Sequence, residues 1–224
     1  MKLTVLGSGS SGNCYLLHNE KECLVIEAGV PVIEVKKALD FQISKIVGVV
    51  VSHEHKDHAK YVSEYPKVGI SVFKPYEIVA APVNYLGNFE IRHFGVVHDV
   101  ECYGFLITHK EFGRLLFATD TEYIRHRFKS LNHVLIEANY SKELMNEYHK
   151  ALGDRVKLSH MEINTTCEFL EVNNNPNLYN VVLLHLSDRT SNEQQFMDKA
   201  KQVVNCNVYV ATKGLEIDLN TEPF

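Results

Sequence analysis

The chain of 224 residues carries 23 basic and 28 acidic side chains, for a formal net charge of −5, and is 45% hydrophobic and 23% charged. That composition fits one substantial folded domain, 1–224, and weighs against a broad basic surface for duplex nucleic acid. Five cysteines without a C-x-x-C pair argue against a disulfide framework, and the N-terminal apolar stretch is too short for a signal peptide; with no apolar run of membrane-spanning length, the expectation is reduced thiols in the cytoplasm and no membrane contact.

In chain order, Leu3–Leu6 reads as a strand that breaks at Gly7-Ser8-Gly9-Ser10-Ser11-Gly12 and resumes at Cys14–Leu17. The glycine-rich stretch lacks the lysine of a P-loop, which leaves a structural turn and a substrate-lining loop both open. Glu22–Ala28 is a strand, and Pro31 then opens a helix over Val32–Leu39, where its missing N–H does no harm. The apolar run Lys45–Val51 predicts a buried strand; a short helix, His58–Glu64, a strand, Val68–Phe73, and a short helix, Pro75–Ala81, follow. Phe89–Val97, Cys102–Thr108, Arg114–Ala118 and His133–Glu137 are strands. Ser141 caps a helix from Lys142 to Leu152, and a second helix, Glu162–Val172, comes just after Ser159-His160. Tyr179–Leu184 is a strand, Asn192 caps a helix to about Val204, and Val208–Leu219 is a closing strand with Gly214 inside it. Many strands with interspersed helices predict two sheets packed face to face with helices outside.

The chemistry concentrates at Ser52-His53-Glu54-His55-Lys56-Asp57-His58, on the loop that leaves the Lys45–Val51 strand. Three imidazoles and a carboxylate delivered by a rigid strand suit zinc or a similar ion. The same arrangement, a strand followed by a ligand, recurs at His98, Asp120 and His185. Taken singly, each reads more readily as a turn or structural residue; jointly with the His53–His58 cluster they provide the roughly seven ligands of a dinuclear site.

With its H-x-H-x-D-H motif at His53, His55, Asp57 and His58, followed by His98, Asp120 and His185 in order, the sequence resembles the metallo-β-lactamase superfamily. More narrowly it is similar to the small YycJ/WalJ-type branch, through Gly7–Cys14, Glu137-Ala138-Asn139 and His185-Leu186-Ser187. The resemblance implies a four-layer αββα sandwich of α/β (α+β) class. It implies one divalent ion held by His53, His55 and His98, a second held by Asp57, His58 and His185, and Asp120 bridging them. Glu27 stands where the superfamily commonly has an Asp that braces the metal loop, and it lengthens that brace by one methylene. Tyr140 is a second departure from the branch. The ions, zinc or manganese, would activate a hydroxide for attack on phosphorus, with Asp57 and His160 as candidate catalytic residues and His160 as proton donor to the leaving oxygen. A helix-capping role for His160 stays open. Arg189 and Ser187 are candidates for gripping a substrate phosphate, with a surface ion pair as the other reading of Arg189; Lys213 is a weaker candidate of the same kind.

Asp rather than Cys at position 120, and His rather than Glu at position 55, direct the resemblance to the phosphodiesterase branch. Its partner would be a nucleic acid or nucleotide substrate, and a homodimer is compatible with the implied fold. A DNA or RNA exonuclease leads; a cyclic-nucleotide phosphodiesterase, a thioester or lactone hydrolase and a metal-loaded binding module without turnover are the alternatives.

Overall fold

Strands that are apolar on both faces need cover on both faces, and the computed structural model shows how this chain provides it. The structure describes residues 1–78, 81–145 and 159–220. Its strands are β1 (Lys2–Gly7), β2 (Cys14–His18), β3 (Cys23–Ile26), β4 (Ile46–Val50), β5 (Val72–Phe73), β6 (Asn84–Leu86), β7 (Phe89–Gly95), β8 (Tyr103–His109), β9 (Gly113–Ala118), β10 (His133–Glu137), β11 (Asn180–Leu184), β12 (Asn207–Val210) and β13 (Glu216–Asp218). The helices are α1 (Val32–Ala38), α2 (Lys56–Ala59), α3 (Lys142–Met145), α4 (Ile163–Asn173) and α5 (Glu193–Lys201). One sheet has the order β13-β1-β2-β3-β4-β5, the other β12-β11-β10-β9-β8-β7-β6.

Successive strand side chains point to opposite faces, and here the two faces enter different cores. Tyr15 and Leu17 of β2, Leu24 and Ile26 of β3, and Leu115 and Phe117 of β9 meet between the sheets. Their neighbours Leu16 and Val25 pack outward against Val32 and Val35 of α1. Leu116 of β9 and Val134 and Ile136 of β10 pack outward with Phe169 and Leu170 of α4 and Phe196 of α5. The result is the expected αββα layering. Among the described residues no helix is long and apolar enough to cross a membrane, and all five cysteines are free.

Strands β3, β4 and β5 run parallel, as do β9, β10, β11 and β12. Ligands of open α/β sheets bind beyond the carboxyl ends of such strands, and the candidate residues fall there.

Several expected elements differ. The predicted closing strand Val208–Leu219 is two strands, β12 and β13, in different sheets. Gly214, at φ 88°, turns the chain between them, and its N–H donates to the Val5 carbonyl at 2.8 Å. The predicted strand Val68–Phe73 keeps only β5, because Pro66–Val68 forms a 3-10 turn that Gly69 ends at φ 79°. The predicted helix His58–Glu64 divides into α2 and a 3-10 turn, Val62–Glu64. A 3-10 turn, Pro75–Glu77, replaces the predicted helix Pro75–Ala81, of which 79 and 80 lie outside the described residues. Strand β6, joined to β7 through Gly87-Asn88, was not expected. Ser141 does cap α3, accepting from the Leu144 N–H at 3.1 Å; residues 146–152 of that predicted helix lie outside the described residues.

Candidate metal centre

Three strand ends turn in the same unusual way. Glu27 after β3, Asp120 after β9 and His185 after β11 adopt φ of 66°, 50° and 55°. For residues with a Cβ this conformation costs about 1–2 kcal/mol each, so the buried contacts they make must hold it. All three side chains are buried, with His53, His58 and Glu137. The metal loop is seated from below by glycine. A Cβ at Gly29 would lie 1.8 Å from the Asp57 carbonyl oxygen, so no other residue lets these backbones approach. Asn13 donates its backbone N–H to that same carbonyl at 2.7 Å, and Ala28 donates to the His58 carbonyl at 2.7 Å.

The predicted ligands converge in two groups that share Asp120. His53, His55, His98 and Asp120 present one ligand atom each within 4.8 Å of one another, and so do Asp57, His58, Asp120 and His185. Asp120 Oδ2 lies 3.6 Å from His53 Nε2, 3.3 Å from His58 Nε2 and 3.9 Å from His98 Nε2. Asp57 Oδ2 lies 3.3 Å from His58 Nε2 and 3.5 Å from His185 Nε2.

The far side of each ring is occupied by protein. His98 Nδ1–H donates to the Ser159 carbonyl at 2.9 Å, and His53 Nδ1 meets Ser52 Oγ at 2.9 Å. His58 Nδ1 faces Glu27 Oε2 at 3.4 Å, His185 Nδ1 faces Glu137 Oε1 at 3.3 Å, and His55 Nε2 faces Asp99 Oδ1 at 3.4 Å. One ring nitrogen braced while the other is presented is the arrangement of metal-ligating histidine. Like His58 Nδ1, which faces Glu27 at ion-pair distance only, the presented Nε2 atoms of His53 and His185 are buried without a hydrogen-bond partner. Such orphans cost about 1–3 kcal/mol each, and a cation would relieve them. The donor set therefore fits divalent metal ions.

Electrostatics agree. Glu27, Asp57, Asp120 and Glu137 bring four carboxyl groups together, and among the described residues no Lys or Arg pairs with them. Burial alone would lower the His185 pKa, yet Asp120, Asp57 and Glu137 push it up to about 10. A field that holds a proton so tightly equally favours a cation. Burial and the neighbouring His58 push His53 far down, which leaves it neutral and ready to ligate.

His160 stands beside both groups. Its Nδ1 is 2.7 Å from Glu137 Oε1, and its ring stacks on that of His185 with centroids 5.3 Å apart. Burial lowers its pKa, but the Glu137 carboxylate outweighs burial and the net shift is upward. Asp120, Glu137, His160 and His185 also lie close enough to form a third ligand group.

Glu27 makes the contacts of a brace, accepting from the Ser52 N–H at 3.2 Å as well as facing His58. The glycine-rich stretch is a structural support: Ser8 Oγ accepts the His185 N–H at 2.9 Å, and Asn13 Nδ2 lies 3.0 Å from His58 Nε2. Arg189 is exposed on the loop after His185; among the described residues its guanidinium makes no ion pair. Ser187 Oγ accepts the Arg189 backbone N–H at 3.4 Å, and Lys213 is exposed. Glu137 had no predicted role. Its signal was present, since the strand His133–Glu137 ends, like its neighbours, in a potential ligand.

The metallo-β-lactamase superfamily model matches residues 7–70. Exodeoxyribonuclease YycJ of Bacillus anthracis is 25% identical over 172 residues, which are 65% of this chain and 65% of that protein. Exodeoxyribonuclease WalJ of Streptococcus pneumoniae is 26% identical over 173 residues, 64% of each chain. The matches thus span just under two thirds of those relatives' length. The crystal structure of the metallo-β-lactamase fold protein YhfI from Bacillus subtilis superposes with a TM-score of 0.75 at 17% identity, covering 96% of this chain and 98% of that one.

Proposed function

We propose that the chain is a metallo-β-lactamase superfamily hydrolase, a divalent-metal-dependent phosphodiesterase and nuclease that shortens DNA from an end. The observation that carries this reading is the pair of ligand groups sharing Asp120. His53, His55 and His98 would hold one ion and Asp57, His58 and His185 the other. Two ions carry four positive charges, which balances the four carboxyl groups gathered there. Three imidazoles suit zinc, and a second site with two carboxylates admits manganese. When bound, such ions supply Lewis-acid activation of water and neutralise charge at phosphorus.

The chain's own residues do the rest. Glu27 and Glu137 orient His58 and His185 through their Nδ1 atoms. Glu137 also holds His160 with its Nδ1 proton inward, and the His160 side chain keeps 20% exposure. The raised pKa keeps a proton on His160, available to a departing alkoxide. Ser187 and Arg189, just beyond His185 in the chain, would meet a phosphate of the substrate. The exodeoxyribonuclease names of the two relatives support DNA over a thioester.

The test is a substrate panel with metal-loaded protein: labelled single-stranded DNA, duplex DNA, RNA, a cyclic mononucleotide and an acyl thioester. Progressive shortening of DNA that a chelator stops is expected. Cleavage of the thioester with every phosphodiester left intact contradicts the proposal.

A further inference from the structure

The chain is acidic overall, yet residues 123–129 (Tyr-Ile-Arg-His-Arg-Phe-Lys) hold three cations and no carboxylate. This segment leaves the centre at Asp120 and returns to the sheet at the start of β10. Because β9 and β10 are parallel, it must run back along the outer face past the length of β9, about 20 Å for six residues. Its root is fixed to the centre: Thr121 donates its N–H to Glu137 Oε2 at 2.9 Å, and Glu122 donates to the Val97 carbonyl at 2.9 Å, beside His98. Its far end is fixed as well, where Arg114 donates to the Lys129 carbonyl at 2.6 Å and the Phe128 N–H to Asn173 Oδ1 at 2.7 Å.

Between these anchors the side chains sort by face. Ile124 and Phe128 pack on the core beneath α4, and the His126 ring meets Phe94 at 5.7 Å. Tyr123, Arg125, His126, Arg127 and Lys129 are exposed, so the outward surface of the segment carries an aromatic ring, an imidazole and three cations. Arg125 lies over the Tyr123 ring at 5.6 Å. A groove of about 310 Å³ runs between this ridge and α4; it is floored by Phe169 and Val172 and begins at Met161, the residue after His160. Glu168 is the one carboxylate in its lining, on the α4 side opposite the cationic ridge.

We propose that the Tyr123–Lys129 ridge is a track for a single nucleic-acid strand leading away from the metal centre, with phosphates held by Arg125, Arg127 and Lys129 and a base stacked on Tyr123. A mononucleotide has no phosphates to place along such a length; a polymer has several. A row of cations beside an aromatic platform is how single strands are held without sequence preference. The inference rests on the phosphodiesterase reading and extends it by selecting a polymer over a cyclic nucleotide.

The experiment measures binding, apart from turnover. Metal-loaded protein is titrated into a fluorescein-labelled oligothymidylate with hydrolysis-resistant phosphorothioate linkages, and anisotropy is read over a series of salt concentrations. Three phosphate contacts to a single strand contribute about 2 to the slope of log affinity against log salt. The triple variant R125Q/R127Q/K129Q is expected to lose about that much slope and to bind roughly tenfold or more weakly at moderate salt. Tyr123→Ala is expected to bind at least about fivefold more weakly, whereas Tyr123→Phe, which keeps the ring, retains affinity. K21Q/K67Q, which removes two lysines from the other sheet's side of the molecule, is expected to bind as wild type does. Retained affinity and slope in the triple variant, or an equal loss in K21Q/K67Q, overturns the inference. If the triple variant melts early, Arg127→Gln and Tyr123→Ala carry the same test. The two readings fail separately: wild-type protein that leaves bis(p-nitrophenyl) phosphate intact contradicts the hydrolase, and wild-type protein that cleaves it without binding the oligonucleotide contradicts the track.

Discussion

Replacing Glu137 by Gln probes the support of the centre without touching a proposed ligand. Each carboxylate oxygen receives two donors. Oε1 faces His160 Nδ1 at 2.7 Å and His185 Nδ1 at 3.3 Å; Oε2 accepts the Thr121 N–H at 2.9 Å and the Met161 N–H at 3.3 Å. A glutamine must turn its NH₂ toward one of these pairs, so two buried donors lose their acceptor in either orientation. At about 1–3 kcal/mol per orphaned donor the gross loss is about 2–6 kcal/mol. Removing a buried charge offsets part of it, leaving a net loss of about 3 kcal/mol. For a chain of this size that lowers the melting temperature by roughly 6–12 °C. Metal affinity should fall by roughly 10- to 100-fold, as it does when a brace of a ligating histidine is removed. Competition with a chromogenic chelator and a thermal melt read both quantities. Wild-type affinity and melting temperature in Glu137→Gln would refute the assignment of this carboxylate as the common brace.

Three further perturbations act at other points. His160→Ala should lower turnover by roughly 10²- to 10⁴-fold while both ions stay bound, and loss of an ion in that variant would make His160 a ligand instead. Gly29→Ala places a Cβ 1.8 Å from the Asp57 carbonyl oxygen, so metal retention should fall with stability, by about 1–3 kcal/mol in a denaturant titration; an unchanged variant would show that this approach is not needed. Buried His133 donates Nε2–H to the Leu219 carbonyl at 3.0 Å and accepts from the Asn180 amide at 3.1 Å; burial lowers its pKa from 6.5 to about 4. Its folded pKa lies below the unfolded one, so the unfolded chain takes up the proton first. Stability is then full above pH 6.5 and falls by about 3 kcal/mol as pH drops toward 4. Denaturant titrations from pH 7 to pH 4 should show that loss in wild type and less of it in His133→Gln; equal slopes would contradict the account.

Local features of this chain were legible and long-range ones were not. The candidate ligands His53, His55, Asp57 and His58 announce themselves because a fully apolar strand runs straight into them, and His98, Asp120 and His185 repeat that pattern. Burial on both faces of the strands follows from the same apolar runs, which is why the four layers could be expected. Glu137 carried part of the family resemblance, but its role as a brace was not legible because a lone carboxylate at a strand end reads as a solvated residue; only its contacts with two histidines reveal that role. The glycine-rich stretch could not be resolved between turn and substrate loop, because its partners Asp57 and His185 lie far along the chain. Val208–Leu219 looked continuous because its apolar pattern continues while the backbone reverses at Gly214. The ridge 123–129 carried no motif at all, and its row of cations acquires meaning only once β9 and β10 are known to be parallel.

The central claim is that two ions share Asp120, and metal content per chain tests it most directly. Inductively coupled plasma measurements on protein dialysed against zinc or manganese should give two ions for wild type and one each for His53→Ala and Asp57→Ala. Asp120→Ala should weaken both sites together. Two ions retained in either single-site variant, or a wild type that holds only one, would contradict the division of ligands on which the account is built.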